Sequence, residues 1–293
     1  MRCERDPEEL TELVARIRES KDRDRVIVIS RLFRTEGYER TQLSEAALVW
    51  LRLVKGQTLT RSDVEPYVPA ILEMWQATFA EAIRLEQTTD WTLDDDYRNV
   101  RSFAAVLLDL LGYLPTDSVL PHLRRALSLR DPWLRMWALI SLLRHREQVQ
   151  AADVEQVVTN NEARIVFWKH LRELGMEFLM PARWAQPEEL AASALTRWAA
   201  HPSELGAPPE EVQLMNRFPV EFDGEMRDVY LFRFREYPKP WIPGEGWMAG
   251  IAGPFRDGEQ LMSCWSSFDS WDLMSPNEHF EKLFRRPEAC PVC

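Results

Sequence analysis

The sequence predicts an α+β protein, in which a long N-terminal stack of helices precedes a small antiparallel β-sheet domain with one C-terminal helix. Apolar residues recur at helical spacing through residues 1–200. The stretch "AAHPSELGAPPEEVQ" at 199–213 then brings three prolines and a glycine together, which marks a boundary. Beyond it the pattern changes to strand-like alternation. We therefore expect a helical domain at 1–200, a proline-rich linker at 201–214 and an α+β domain at 215–293.

The segment "RDPWLRMWALISLLR" at 130–144 shows most clearly why the first domain should be a stack. Asp131 is a favourable N-cap, and Pro132 occupies the first helical position, where its missing N–H costs nothing. Two neighbouring apolar stripes follow, formed by Trp133, Met136, Trp137, Ile140 and Leu143 and by Leu134, Ala138 and Leu142. A helix that is apolar around most of its circumference must be covered on several sides.

Other segments repeat the helical pattern with short connections between them, as neighbouring antiparallel helices require. We predict helices near 6–20, 23–37, 41–56, 62–87, 97–114, 118–129, 151–160 and 162–175. Strand-like alternation is missing from this part of the sequence. The first 200 residues are thus expected to be all-α.

A capping residue stands four positions before an arginine in "DPWLR" at 131–135, in "NNEAR" at 160–164 and in "DDDYR" at 94–98. Helices that begin in this way resemble the second helices of HEAT repeats. The resemblance covers residues 20–200 and rests on Asp131, Pro132 and Arg135, since the other two segments lack the proline. It implies an α-solenoid in which Asp131 and Arg135 bridge neighbouring repeats. The alternative is an ordinary all-α domain with one well-capped helix.

The C-terminal domain should be a small sheet with one helix across it. Asp223 and Gly224 form a hairpin turn signal between two extended runs. The second run should bury one face, the one that carries Tyr230, Phe232 and Phe234. Two more strands are predicted in 246–255 and 259–268, and a helix in 275–284, where Ser275 and Glu278 match a capping box.

Composition disfavours several classes of function. The chain has 293 residues with 36 Lys and Arg against 47 Asp and Glu, a net charge of −11. An acidic chain repels the phosphate backbone, so we expect no nucleic-acid partner. A charged N-terminus without a signal region and the lack of a long apolar run argue against secretion and membrane insertion. We expect a cytoplasmic protein that needs no cofactor.

Catalytic and metal sites have weak support in the sequence. Cys264 and His279 could act as nucleophile and base, which leaves an enzyme with a Cys/His site as the alternative function. The terminal "CPVC" places Cys290 and Cys293 at the spacing of half a zinc site. A matching second half is missing, although Cys3, Cys264 or His279 could contribute. We expect that the chain binds no metal and that Cys290 and Cys293 belong to a loose tail whose thiols can be oxidised and reduced.

Tryptophan density is the best functional signal. Trp241, Trp247, Trp265 and Trp271 fall within one short stretch of the C-terminal domain, and the Pro/Gly-rich segment "PKPWIPGEGW" carries the first two. They predict a surface that binds another protein, with Trp241 exposed and Trp247 buried; alternatively they fill the interface between sheet and helices. We expect a non-catalytic adaptor, regulator or immunity-type protein.

Overall fold

The computed structural model describes residues 40–56, 59, 61–89, 91–201, 204–222, 224–235, 246–253, 267–271 and 274–284. The helices predicted near 6–20 and 23–37 lie outside these residues. The chain divides into two compact units, Met1–Val154 and Glu155–Cys293. Each unit is described by itself.

The described part of the first unit is built from helices around one apolar core. They are α1 (Arg40–Lys55), α2 (Arg61–Val64), α3 (Val68–Leu85), α4 (Asp95–Leu111), α5 (Thr116–Ala126) and α6 (Pro132–Arg144). A further helix, α7 (Ala151–Val158), crosses the division between the units. Helix α4 packs against α1, α3 and α6, while α5 packs against α6. The predicted helical stack is therefore confirmed in this region.

Local sequence explains where α4 and α6 begin. The Asp94 carboxylate accepts hydrogen bonds from Asp96 N and Tyr97 N at the start of α4. At α6, Asp131 accepts from Trp133 N at 2.8 Å and Pro132 occupies the first turn, as predicted. Both caps satisfy N–H groups that no helical carbonyl can reach. The apolar residues of α6 are then buried: Leu134, Met136, Ala138, Leu139, Ile140, Leu142 and Leu143.

The pairing of Asp131 differs from that implied by the HEAT resemblance. The Asp131 carboxylate forms its ion pair with Arg101 of α4, with 2.6 Å between Oδ2 and Nε. Arg135 Nε donates to the carbonyl of Leu129, in the turn that precedes the helix. The position of Asp131 at the helix start points its carboxylate toward α4, and Arg101 lies in reach there.

The second unit contains two helices, a four-stranded sheet and a final helix, so the α+β class is confirmed. Its elements are α8 (Asn161–Leu174), α9 (Pro187–Ala199), β1 (Glu211–Phe222), β2 (Glu225–Arg235), β3 (Trp247–Ala252), β4 (Ser267–Ser270) and α10 (Pro276–Phe284). The strands are antiparallel in the order β1-β2-β3-β4. Phe222 pairs with Glu225, which leaves the two-residue turn predicted from "DG", and Gly224 has a φ of 76°. The register of β1 shifts at Met215, a β-bulge.

Both faces of the sheet are covered, so the prediction that β2 buries only one face was wrong, whereas the predicted C-terminal helix across the sheet is confirmed. Tyr230, Phe232 and Phe234 pack with Ala191 and Leu195 of α9. The opposite face of β2, with Val229 and Leu231, packs with Phe280 and Leu283 of α10. Val229 and Leu231 alternate with the aromatic residues and are apolar as well, so this part of β2 requires a second cover.

Helix α9 stacks against α8, the helix that precedes it, as expected, and its other side packs on the sheet. At Gly250 of β3 a Cβ atom would lie 2.8 Å from Phe234 Cε1 and 3.0 Å from Leu195 Cδ1. This lack of space shows how closely α9 and the sheet approach each other. Strand β1 begins at Glu211, inside the predicted linker 201–214. The domain boundaries themselves stay a prediction.

The capping box at the start of α10 is confirmed. Ser275 N donates to Glu278 Oε2 at 2.7 Å, and Glu278 N donates to Ser275 Oγ at 3.4 Å. Ser275 Oγ also donates to Glu278 Oε2 at 2.7 Å, and the two bonds from Ser275 to this carboxylate lower the pKa of Glu278 because they favour its ionised form. Helix α10 is thereby held in place over the sheet face that carries the candidate site.

Candidate functional site

Two of the four predicted tryptophans, Trp247 and Trp271, lie within the described residues, and the structure brings them together. Trp247 begins β3 and Trp271 follows β4. Trp271 N donates to the Trp247 carbonyl at 3.0 Å, so both residues lie at the same end of the sheet. Trp241, Trp265 and the three remaining candidates, Cys264, Cys290 and Cys293, fall outside the described residues.

The cross-strand register places two arginines beside Trp247. Glu211, Arg235 and Trp247 oppose one another across β1, β2 and β3. Gln213 and Arg233 form the next row on the same face. We call these five residues the Arg–Trp cluster. Directly opposed residues in a sheet project to the same side, and this side is the one that α10 covers further along the strands.

Both guanidinium groups pack on one indole. The carbon at the centre of the Arg233 guanidinium is 4.5 Å from the ring centroid of Trp247, and that of Arg235 is 5.5 Å away. A cation above an aromatic face is attracted by the quadrupole of the ring. Trp247 is half-buried, not buried as predicted, and the two arginine side chains lie over its ring. The indole and the two guanidinium groups are fixed relative to one another.

The two arginines differ in their polar partners. Arg233 Nε donates to the neutral amide oxygen of Gln213 at 2.6 Å. Among the described residues, no carboxylate forms an ion pair with Arg233. Arg235 contacts the Glu211 carboxylate at 3.4 Å, with both side chains about two-fifths exposed. Exposed contacts of this length contribute little to stability because solvent screens them.

His279, the predicted base of the alternative enzyme, is fully buried. Its ring stacks on Trp271 with 4.3 Å between centroids and 15° between planes. A general base must reach the group that it deprotonates, and a fully buried ring cannot meet a substrate from solvent. The packing of His279 on α10 is that of a core residue, which the sequence pattern did not reveal.

A buried polar network in the first unit escaped the sequence analysis. Glu86, which ends α3, accepts hydrogen bonds from Arg130 N at 2.8 Å and Asp131 N at 3.2 Å. The Tyr97 hydroxyl lies 3.2 Å from Glu86 Oε1 and 2.9 Å from Asp131 Oδ2. Burial raises the pKa of Glu86, and nearby Asp131 raises it further. Burial beside these carboxylates also raises the pKa of Tyr97. The network joins α3, α4 and α6.

Phe178 is a second feature without a sequence signal. It lies in the short 3-10 helix Glu177–Leu179, and 81% of its surface is exposed. Nearby in the chain, the guanidinium groups of Arg164 and Arg183 lie over the Trp184 ring, at 4.4 Å and 5.1 Å from its centroid. In the sequence, a phenylalanine between Glu177 and Leu179 looks like an ordinary core residue, and only the structure shows its exposure.

Metal ligands do not gather in the part of the chain that the structure describes: no three His, Cys, Asp or Glu side chains there are close enough to share an ion. Nor does any helix of that part combine the length and apolar character needed to cross a membrane. No protein-family model, curated protein sequence or solved structure matches this chain.

Proposed function

We propose that this chain is a non-catalytic protein that binds another protein, as an adaptor, regulator or immunity-type protein, and that the Arg–Trp cluster is part of the contact surface. The observation that carries this proposal is the half-buried Trp247 flanked by Arg233 and Arg235. Tryptophan and arginine are the residue types enriched among those that dominate binding energy at protein interfaces.

The packing of the cluster supports a role in recognition. Its side chains are held by the sheet and by one another, so they lose little conformational freedom when a partner binds. A tryptophan that served only the core would be fully buried, as Trp50 and Trp75 are in the first unit. Trp247 keeps part of its ring accessible beside two cations.

The helical stack of the first unit supports the HEAT-like part of the proposal. Arg135 donates to the carbonyl of Leu129, two residues before the cap Asp131. Arg164 donates to the carbonyl of Val158 at 2.6 Å, again two residues before its cap, Asn160. The same local bond at two helix starts is what a repeated helical unit would produce. Helical repeats expose long surfaces suited to macromolecular partners.

The enzyme alternative, with Cys264 and His279, has less support because the His279 ring is fully buried. Acid–base work would require α10 to move away from the sheet. Binding requires no such rearrangement.

Capture of a partner tests the proposal. The full chain is immobilised, exposed to an extract of its native host and analysed by quantitative mass spectrometry. We expect one stoichiometric protein partner, lost when Arg233 and Arg235 are both changed to glutamine. Arg217→Gln is the control for loss of a positive charge elsewhere on the sheet, because Arg217 is an exposed arginine of β1 that pairs with Asp228. Capture that survives the double change would exclude the cluster from the interface.

A further inference from the structure

We infer that the Arg–Trp cluster binds a carboxylate from an acidic segment of the partner protein. This inference rests on the proposed function and adds the chemistry of the group that is recognised. It is carried by the stacking geometry, the donors that remain available and the local charge.

The stacking geometry presents guanidinium edges to an incoming group. A guanidinium that lies against an indole face keeps its N–H groups in its own plane, where they can meet a planar carboxylate in a bidentate manner. Arg233 uses its Nε for Gln213. Within the described ranges, its Nη groups have no hydrogen-bond partner, so they remain available to a ligand.

Arg235 has unmet hydrogen-bonding capacity as well. Its Nε is buried and lacks a hydrogen-bond partner among the described residues. Its contact with Glu211, at 3.4 Å, is long for a charge-assisted hydrogen bond. A carboxylate from a partner would reach the Nη groups of Arg235 rather than this Nε, since about two-fifths of the side chain is exposed.

The charge around the cluster is opposite in sign to that of the chain. Arg233 and Arg235 share their two rows with two carboxylates, that of Glu211 on β1 and that of Asp269 on β4. Asp269 forms an ion pair with Lys282 of α10 at 2.9 Å. A local excess of positive charge therefore stands on a chain with a net charge of −11. This pattern fits the planar carboxylate of an acidic segment, which a guanidinium can bind in a bidentate manner.

A pair of capped peptides tests the inference directly. One peptide consists of six glutamates and the other of six glutamines, and each is titrated into the full ¹⁵N-labelled chain. The NMR signal of the Trp247 indole N–H is identified by its loss in Trp247→Phe. We expect the glutamate peptide to shift that signal and the glutamine peptide to leave it in place. Binding should weaken at least roughly tenfold in the Arg233→Gln, Arg235→Gln double variant, as when charge-assisted bonds are removed. Arg217→Gln should bind as the unchanged chain does.

Two variants keep the result interpretable. Arg233→Gln alone is used if the double variant fails to fold, since the one polar contact of Arg233 among the described residues is with Gln213. Arg233→Lys keeps the charge but loses the planar fork, so it should bind less well than the unchanged chain. Equal binding of both peptides would overturn the inference, as would tighter binding of a single-stranded oligonucleotide.

The failures of the two proposals can be told apart. If a captured partner depends on Trp247 but the glutamate peptide has no effect, the carboxylate inference is wrong and the proposed function stands. If the glutamate peptide binds at the cluster but no partner is ever captured, the proposed function is wrong and the chemistry of the cluster stands.

Discussion

Replacing Asp131 with alanine should remove more than a helix cap. Its carboxylate accepts hydrogen bonds from Trp133 N at 2.8 Å, from the Tyr97 hydroxyl at 2.9 Å and from Arg101 Nε at 2.6 Å. Only 3% of the residue is exposed. The change would therefore leave one backbone donor, one hydroxyl and one guanidinium of the first unit without their acceptor.

The expected loss of stability follows from the two roles of Asp131, as a helix cap and as a partner in a buried ion pair. Loss of a cap costs about 1 kcal/mol, and removal of one partner from a buried ion pair costs about 3–5 kcal/mol. The two contributions overlap because they share one carboxylate, so we expect a total of about 3–5 kcal/mol. Asp94→Ala is the matched control, since Asp94 caps α4 in the same way but has no described role in the buried network. That change should cost about 1 kcal/mol.

Urea unfolding followed by far-ultraviolet circular dichroism measures both free energies. Asp131→Asn should fall between the two alanine variants, because asparagine keeps the cap and loses the charge that pairs with Arg101. If Asp131→Ala and Asp94→Ala cost the same, the buried network adds no net stability and the reasoning fails.

Three further changes test other parts of the structure. Burial raises the pKa of Glu86, so its contribution to stability is present below the unfolded pKa and is lost as pH rises through the folded pKa. In urea titrations at a series of pH values, Glu86→Gln should make the free energy of unfolding less dependent on pH. An equally steep dependence in the variant would contradict the role of Glu86. Gly250→Ala should destabilise by about 1–3 kcal/mol, since its Cβ would lie 2.8 Å from Phe234; a melting temperature equal to that of the unchanged chain would contradict the packing. Ser275→Ala should cost about 1 kcal/mol in chemical denaturation, and Pro276→Ala, which leaves the capping box intact, should cost less.

The features that could be predicted from sequence depend on residues close together in the chain. The cap at Asp131, the two-residue turn before Glu225 and the capping box at Ser275 each involve partners within three positions. The partner of Asp131 was not predictable in this way. Arg101 precedes it by 30 residues, and only the packing of α4 against α6 brings the two together.

The tryptophans of the candidate site could be predicted from the sequence, but its arginines could not. The concentration of tryptophans pointed to Trp247 and Trp271, which the structure joins. Arg233 and Arg235 alternate with aromatic residues and looked like the solvated side of a strand. Their position on Trp247 comes from the register of β2 and β3, which the alternation in either strand alone does not specify.

The bulge at Met215 has a consequence for the whole of β1. Before it, odd-numbered residues such as Gln213 lie on the face of Arg233; after it, even-numbered ones such as Phe218 lie on that same face. Phe218 stacks on Phe280 of α10 with 4.0 Å between centroids. One extra residue thus changes the parity of the strand, so that a single face is polar at one end and apolar at the other. Deleting Met215 would turn Glu211 and Gln213 toward α9 and dismantle the cluster without altering any of its side chains.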